Sequence, residues 1–106
     1  MSDALLDIVQ RNRSGERCAI PSVCSAHEDV LRASLIMARD LNRPIVIEAT
    51  SNQVNQEGGY TGMTPIDFVQ RVTQFCAEHN VQTDLVVFGG DHLGPQAWRD
   101  QSADIA

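Results

Sequence analysis

The 106-residue sequence predicts an α/β fold with a parallel sheet, because three apolar, β-branched runs alternate with segments of helical periodicity. Strands that are joined through helices pair in parallel, with right-handed crossovers. The run over 44–49 shows no polar–apolar alternation, which is typical of a strand covered on both faces. Each run is followed by polar or glycine-containing residues, which predicts functional side chains at the carboxyl ends of the strands.

The first element predicted is a leader helix over 3–13, whose leucines and valine form one apolar stripe and which Gly15 can end. A strand is predicted over 18–24. Pro21 lies within this strand and lacks a backbone donor, so we expect it at an edge, a bulge or an irregularity.

The second helix is predicted to begin with a capping box, in which Ser25 and Glu28 bond each other's backbone amides. Apolar residues then recur with a helical period, and Asn42 and Pro44 bracket the end of the helix. The second strand is predicted over 44–49.

A polar, glycine-rich loop over 50–63 follows, and long structured loops are usually functional. Thr64, Pro65 and Asp67 predict the start of a third helix, with a capping hydroxyl, a proline at the first position and an acid in the first turn. The buried face of that helix is predicted to contain Phe68, Val69, Val72, and Phe75 or Cys76.

The third strand is predicted over 84–88, with Phe88 in the core, and a further segment begins over 95–98. A (β/α)8 barrel has about 250 residues in eight units, so this chain holds about three units. We therefore predict one segment, the N-terminal part of a (β/α)8 TIM barrel, with a leader helix over 1–16 and the first three βα units over 17–106. A small independent three-stranded domain is the alternative, although its exposed strand edges would make it marginal.

Composition excludes several classes of protein. The net charge is −6, which disfavours a nucleic-acid partner. The sequence contains no run of about 18 apolar residues, so we expect no membrane span. The N-terminus lacks a signal-peptide pattern. Cys18, Cys24 and Cys76 are odd in number and form no C-x-x-C, which predicts reduced thiols in a cytoplasmic protein. We expect Cys18 and Cys24 to be small buried residues rather than ligands.

Asp91 and His92 are the first candidate site residues, because they follow the third strand and two glycines. Histidine titrates near neutral pH and binds metals, and a neighbouring carboxylate can transfer protons. The alternative is that Asp91 caps the next turn and His92 bonds locally. The other histidines, His27 and His79, are poorly placed to complete a zinc site, which needs three or four ligands.

The second candidate set follows the second strand and consists of Glu48, Asn52, Gln53 and Asn55. A carboxylate and amides are suitable partners for sugar hydroxyls, so we predict substrate binding. The alternative is that these side chains brace the backbone of their own loop.

Three stretches make the sequence recognisable: SVCSAH at 22–27, IEATSNQVNQ followed by GGYTGMTP within 47–65, and GGDHLGP at 89–95. Together they resemble the non-catalytic Z-type subunit of class II D-tagatose-bisphosphate aldolase, a family that acts in galactitol and amino-sugar breakdown. Some of its members are labelled tagatose-6-phosphate kinase. The resemblance extends over nearly the whole chain, and the family is much longer than 106 residues.

The resemblance implies an oligomer in which this subunit supports a separate, zinc-dependent catalytic aldolase subunit. Any chemistry of its own would be retro-aldol cleavage of a ketose bisphosphate, with Asp91 transferring a proton and His92 binding zinc; the remaining ligands would lie beyond residue 106. The rival function is a sugar-phosphate kinase. The sequence has no G-x-x-x-x-G-K-[ST] motif and no lysine, which argues against that label and against a Schiff-base aldolase. A scaffold with a vestigial pocket is the third option.

Overall fold

The computed structural model describes residues 3–93, together with 100 and 102. The predicted segment at 95–98 lies outside these residues. The elements are α1 (Asp3–Arg13), β1 (Ser22–Cys24), α2 (Glu28–Leu41), β2 (Ile45–Thr50), α3 (Pro65–Glu78), a 3₁₀ turn (Thr83–Leu85) and β3 (Val86–Asp91). The predicted α/β class is therefore confirmed.

The three strands form one parallel sheet in the order β1-β2-β3. In this register Cys24 lies beside Glu48, which lies beside Gly89, and Thr50 lies beside Asp91. The carboxyl ends of all three strands therefore reach the same edge of the sheet.

Two strands differ in length from the prediction. β1 begins only at Ser22, and the carbonyl of Pro21 accepts from the amide of Val46 at 2.9 Å. Pro21 thus marks the irregularity where pairing starts, because it cannot donate to a ladder itself. β3 runs through both glycines to Asp91, since Gly89 and Gly90 pair with β2 instead of ending the strand.

The predicted capping box of α2 is wrong. The helix begins at Glu28, so this glutamate occupies the first helical position and cannot serve as the third. His27 is the N-cap instead: its Nδ1 accepts from the amide of Asp29 at 3.1 Å, and the hydroxyl of Ser25 accepts from the amide of His27 at 3.1 Å. At the other end Asn42 adopts the left-handed conformation that closes the helix, as its position predicted.

The start of α3 agrees with the prediction. The hydroxyl of Thr64 accepts from the amide of Asp67 at 3.4 Å, and the carboxylate of Asp67 accepts from the amide of Thr64 at 3.0 Å. The hydrogen bond from the Thr64 amide, and then the Thr64 hydroxyl, favour the ionised carboxylate and lower the pKa of Asp67. The capping box positions the loop over 50–63 relative to the helix that follows it.

The core lies between the sheet and the two helices α2 and α3, which pack on the same face of β2. Ile45, Ile47 and Ala49 are buried there, whereas the alternate residues of β2 are half-buried on the opposite face. The expectation that both faces of β2 are covered is thus wrong for the part of the chain described. The largest fully buried side chains are Phe75, Leu31, Leu35, Ile47, Val72 and Cys76.

The helix-covered side of the sheet stays open near β3. Phe88, predicted to be in the core, is 39% exposed, and Val69, predicted to be on the buried face of α3, is 38% exposed. Both line an apolar groove of about 350 Å³ that also includes Leu93. Among the helices described, none combines the length and apolarity needed to cross a bilayer.

Candidate functional site

The candidate site lies at the edge where the strands end. Asp91 is the last residue of β3 and is paired with Thr50, the last residue of β2. One residue further on, the hydroxyl of Ser51 donates to the carbonyl of His92 at 3.0 Å. The two predicted sets, one after β2 and one after β3, are therefore brought to the same edge of the sheet.

The alternation of side chains along the strands places Cys24, Glu48 and Asp91 on one face of the sheet, away from α2 and α3. Side chains alternate along a strand, and Glu48 lies between the buried residues Ile47 and Ala49. Cys24 and Gly89 are the register partners of Glu48, and Asp91 returns to that face two residues after Gly89. Two carboxylates and a thiol thus share the face that is opposite the helices.

Both carboxylate oxygens of Asp91 have a partner. Oδ2 accepts from the thiol of Cys24 at 3.2 Å, and Oδ1 lies 3.2 Å from Nε2 of His92. The side chain of Asp91 remains 37% exposed, so a ligand can still reach it. The arrangement is a carboxylate held in place at an open edge, which suits proton transfer to or from a bound substrate.

His92 follows β3 in a conformation that non-glycine residues seldom adopt, with a φ of 90°. Its side chain is 77% exposed. No three His, Cys, Asp or Glu side chains within the described ranges come together as a metal site. Zinc therefore does not fit this part of the chain on its own, since a zinc site needs three or four ligands.

Gln53 and Asn55 bond to their own loop. Oε1 of Gln53 accepts from the amide of Thr50 at 2.8 Å. Asn55 is buried, and its amide donates to the carbonyl of Ser51 at 2.7 Å while its oxygen accepts from the amide of Glu57 at 2.8 Å. These contacts match the bracing role that was the alternative to substrate binding.

Glu48 and Asn52 are placed differently. Glu48 is half-buried on the open face of β2, and Asn52 is exposed on the loop. The backbone carbonyl of Asn52 accepts from the amide of Tyr60 at 2.9 Å. A ligand at the strand edge can therefore meet Glu48 and Asn52 more readily than the buried Asn55.

A groove of about 590 Å³ lies beside the cluster formed by Cys24, Glu48 and Asp91, and Cys24 also lines the groove. It runs between the β1–α2 connection and the loop over 50–63. Its polar lining includes Cys24, His27, Gln53, Tyr60, Thr61 and Arg71. The guanidinium of Arg71 lies 3.6 Å from the carboxylate of Glu28 and 4.9 Å from the ring centre of Phe75. Arg71 therefore gives the groove a positive charge that Glu28 partly neutralises.

Two glycines of this loop allow a matched test of its packing. Gly59 and Gly62 both have positive φ, but a Cβ on Gly59 would lie 2.5 Å from the carbonyl oxygen of Gln53, whereas a Cβ on Gly62 would meet nothing within 4 Å. We expect Gly59→Ala to lower the free energy of unfolding by about 3 kcal/mol, because of both the positive φ and the steric clash. Gly62→Ala should lower it by about 1 kcal/mol, because only the positive φ strains the backbone there.

Urea unfolding of the two variants measures the difference. Equal losses would show that the close approach of Gly59 to the backbone of Gln53 does not constrain the loop.

Cys24 is the site residue that the sequence interpretation missed. We expected a small buried residue, but Cys24 is exposed and its thiol contacts Asp91. The signal available was positional, because Cys24 ends β1 just as Asp91 ends β3.

The chain matches the family model "D-tagatose-1,6-bisphosphate aldolase subunit GatZ/KbaZ-like" over residues 5–106. It is 48% identical over its whole length to "D-tagatose 6-phosphate 4-epimerase" from Agrobacterium fabrum, of which it covers 25%. It is also 48% identical over 99 residues to "D-tagatose-1,6-bisphosphate aldolase subunit GatZ" from Escherichia coli O1:K1, with 93% of this chain and 24% of that protein aligned.

A solved structure gives the same picture. The crystal structure of "a probable tagatose 6 phosphate kinase from Sinorhizobium meliloti 1021" superposes with a TM-score of 0.78 at 46% identity, covering 83% of this chain and 23% of that one. The chain spans about a quarter of the length of these relatives. The match over almost every residue shows that the chain belongs to the D-tagatose-1,6-bisphosphate aldolase subunit GatZ/KbaZ-like family.

Proposed function

We propose that this protein is an accessory subunit of a D-tagatose-1,6-bisphosphate aldolase, and that its strand edge around Asp91 takes part in handling the phosphorylated ketohexose. The observation that supports this most is the pairing of Cys24 with Asp91 beside Glu48, on the open face of a sheet from that family. The relatives' names all refer to phosphorylated tagatose, which supports a ligand of that class.

The proposed role of Asp91 is proton transfer. In retro-aldol cleavage the C4 hydroxyl of the ketose loses its proton as the C3–C4 bond breaks. The C4 carbon leaves as an aldehyde, and the electron pair of the broken bond passes to the ketone fragment as an enolate. The carboxylate of Asp91 would accept the hydroxyl proton, because its side chain is accessible and its orientation is fixed by two neighbours.

Substrate contacts are assigned to the residues around that carboxylate. We propose that Glu48 and Asn52 bond sugar hydroxyls directly, because one lies on the open face of the sheet and the other is exposed on the loop. Gln53 and Asn55 belong to the same substrate-binding set, and their hydrogen bonds hold the loop in the shape that presents Asn52. Their contribution to binding would therefore come mainly through the loop.

We propose that the sheet is the beginning of a (β/α)8 barrel in one continuous segment, with a leader helix over 1–16 and three βα units over 17–106. The parallel order of the strands supports this, as does the apolar groove beside Phe88 and Leu93. In a barrel the open face of β2 would point toward the interior, and the strand ends would share one mouth.

We also propose that His92 is one ligand of a zinc ion whose other ligands lie outside the described residues. The imidazole is exposed at the strand edge, which supports the assignment. A cytoplasmic location is proposed as well, and the free thiols of Cys18, Cys24 and Cys76 agree with a reducing compartment.

A second candidate function is the epimerisation of a ketohexose phosphate by the protein itself. The relative from Agrobacterium fabrum, which matches the whole chain, is named a 4-epimerase. Glu48 and Asp91 on one face also provide two groups that can exchange protons with a bound sugar.

Reconstitution with a catalytic class II aldolase subunit tests the proposed function. We expect the full-length protein to co-elute with that subunit and to raise its cleavage of D-tagatose 1,6-bisphosphate by about 10²-fold or more, the usual contribution of a positioned acid or base. Failure to bind and to stimulate would contradict the accessory role. Epimerisation of D-tagatose 6-phosphate by the protein alone, without stimulation of the aldolase, would support the second candidate. ATP-dependent phosphorylation of that sugar would support the kinase label instead.

A further inference from the structure

We propose that Cys24 is a positioning residue, whose thiol holds the carboxylate of Asp91 in the orientation needed for proton transfer. This inference rests on the proposed function, because it gives a role to Cys24 only if Asp91 acts on the ligand.

The contact joins residues that are far apart in the chain and in the sheet. Cys24 ends β1 and Asp91 ends β3, with β2 between them. Two strand spacings separate the outer strands by about 9.6 Å. A distance of 3.2 Å between Sγ and Oδ2 therefore requires the two side chains to converge above β2. The bond ties the two outer strands together at the edge where the ligand would bind.

The thiol complements the second neighbour of Asp91. Oδ2 accepts from Cys24, while Oδ1 faces Nε2 of His92 at 3.2 Å. His92 follows Asp91 directly and is largely exposed, so it restrains the carboxylate weakly. Cys24 comes from a different strand and supplies the restraint that fixes Asp91 relative to the rest of the sheet.

The surroundings keep Cys24 a donor. The hydrogen bond to Asp91, partial burial, and the negative charges of Asp91 and Glu48 all raise the pKa of the thiol. A protonated thiol can donate to a carboxylate, whereas a thiolate beside two carboxylates would repel them. The neutral S–H form is therefore the form that suits this position.

The first arm of the test measures the contact without measuring activity. In the full-length protein, iodoacetamide labelling at pH 8 followed by peptide mapping gives the alkylation rate of each cysteine. We expect Asp91→Asn to raise the rate at Cys24 by about fivefold, because loss of the carboxylate charge increases the thiolate fraction. The buried Cys76 serves as the internal reference. An unchanged rate at Cys24 would overturn the inference.

The second arm measures the reaction in the complex with the aldolase subunit. We expect Cys24→Ala to lower kcat about tenfold with little change in KM, because a displaced catalytic group reacts more slowly while the substrate still binds. Cys24→Ser, which keeps a donor, should recover most of that loss. Cys18→Ala is the matched control, since Cys18 contacts the carbonyl of Ile8 and lies away from the site.

The two hypotheses fail in different ways. If Asp91→Asn leaves the reaction intact, the proposed role of the strand edge is wrong and the positioning role is overturned with it. If Asp91→Asn abolishes the reaction while Cys24→Ala is fully active, only the positioning role is overturned. Equal losses in Cys24→Ala and Cys24→Ser, with both variants folded, would also overturn it, because hydrogen-bond donation would then not matter.

Discussion

Replacing Asp91 with asparagine is expected to lower the turnover that the assembled protein supports by about 10²-fold or more, the usual contribution of a positioned acid or base. Asparagine has nearly the same shape as aspartate, so the contacts with Cys24 and His92 can largely persist. What is lost is the ability to accept a proton. Steady-state cleavage of D-tagatose 1,6-bisphosphate by the complex with the catalytic aldolase subunit measures the effect.

The matched control is Asp84→Asn, which makes the same chemical change in the 3₁₀ turn before β3, at the opposite end of the strand. We expect it to leave turnover unchanged. Intact assembly with full activity in Asp91→Asn would contradict a chemical role for the strand edge, and it would favour the scaffold interpretation.

The largest expected loss of stability is for Phe75→Ala, about 3–5 kcal/mol in the free energy of unfolding. Phe75 is fully buried between α2, α3 and the sheet. The guanidinium of Arg32 lies 4.1 Å from its ring centre and that of Arg71 lies 4.9 Å away, so the ring also supports two cation–π contacts. Truncation would leave a cavity and remove both contacts. Urea unfolding followed by circular dichroism measures the loss.

Ile66→Ala is the control on the same helix. Ile66 is 67% exposed, so we expect its truncation to change the free energy of unfolding by less than about 0.5 kcal/mol. Similar effects of the two substitutions would show that Phe75 does not anchor α3 to the sheet, and that the account of the core is wrong.

Local signals predicted the helices well. The apolar spacing of α1 predicted its observed bounds, Asp3–Arg13, and the Thr64-Pro65-x-Asp67 pattern identified the start of α3 together with its capping box. Such patterns succeed because both partners of each hydrogen bond lie within one helical turn. The alternation of strands and helices also predicted the parallel sheet, since short helical crossovers leave few other topologies.

Features that depend on neighbours distant in sequence were predicted poorly. An apolar residue such as Phe88 is expected in a core, but its exposure depends on what covers the β3 side of the sheet. The cap of α2 failed for a local reason, because two competing polar residues precede the helix and His27, not Ser25, caps the backbone. The contact between Cys24 and Asp91 spans 67 residues, and no short-range pattern encodes it.

We propose above all that the ends of β1, β2 and β3 form one ligand-binding edge around Asp91. A crystal structure of the full-length protein with D-tagatose 1,6-bisphosphate tests this most directly. We predict a sugar hydroxyl within hydrogen-bond distance of the Asp91 carboxylate, with Glu48 or Asn52 in contact with the same molecule. A ligand bound at the amino ends of the strands, or one with no contact to Asp91 and Glu48, would contradict it.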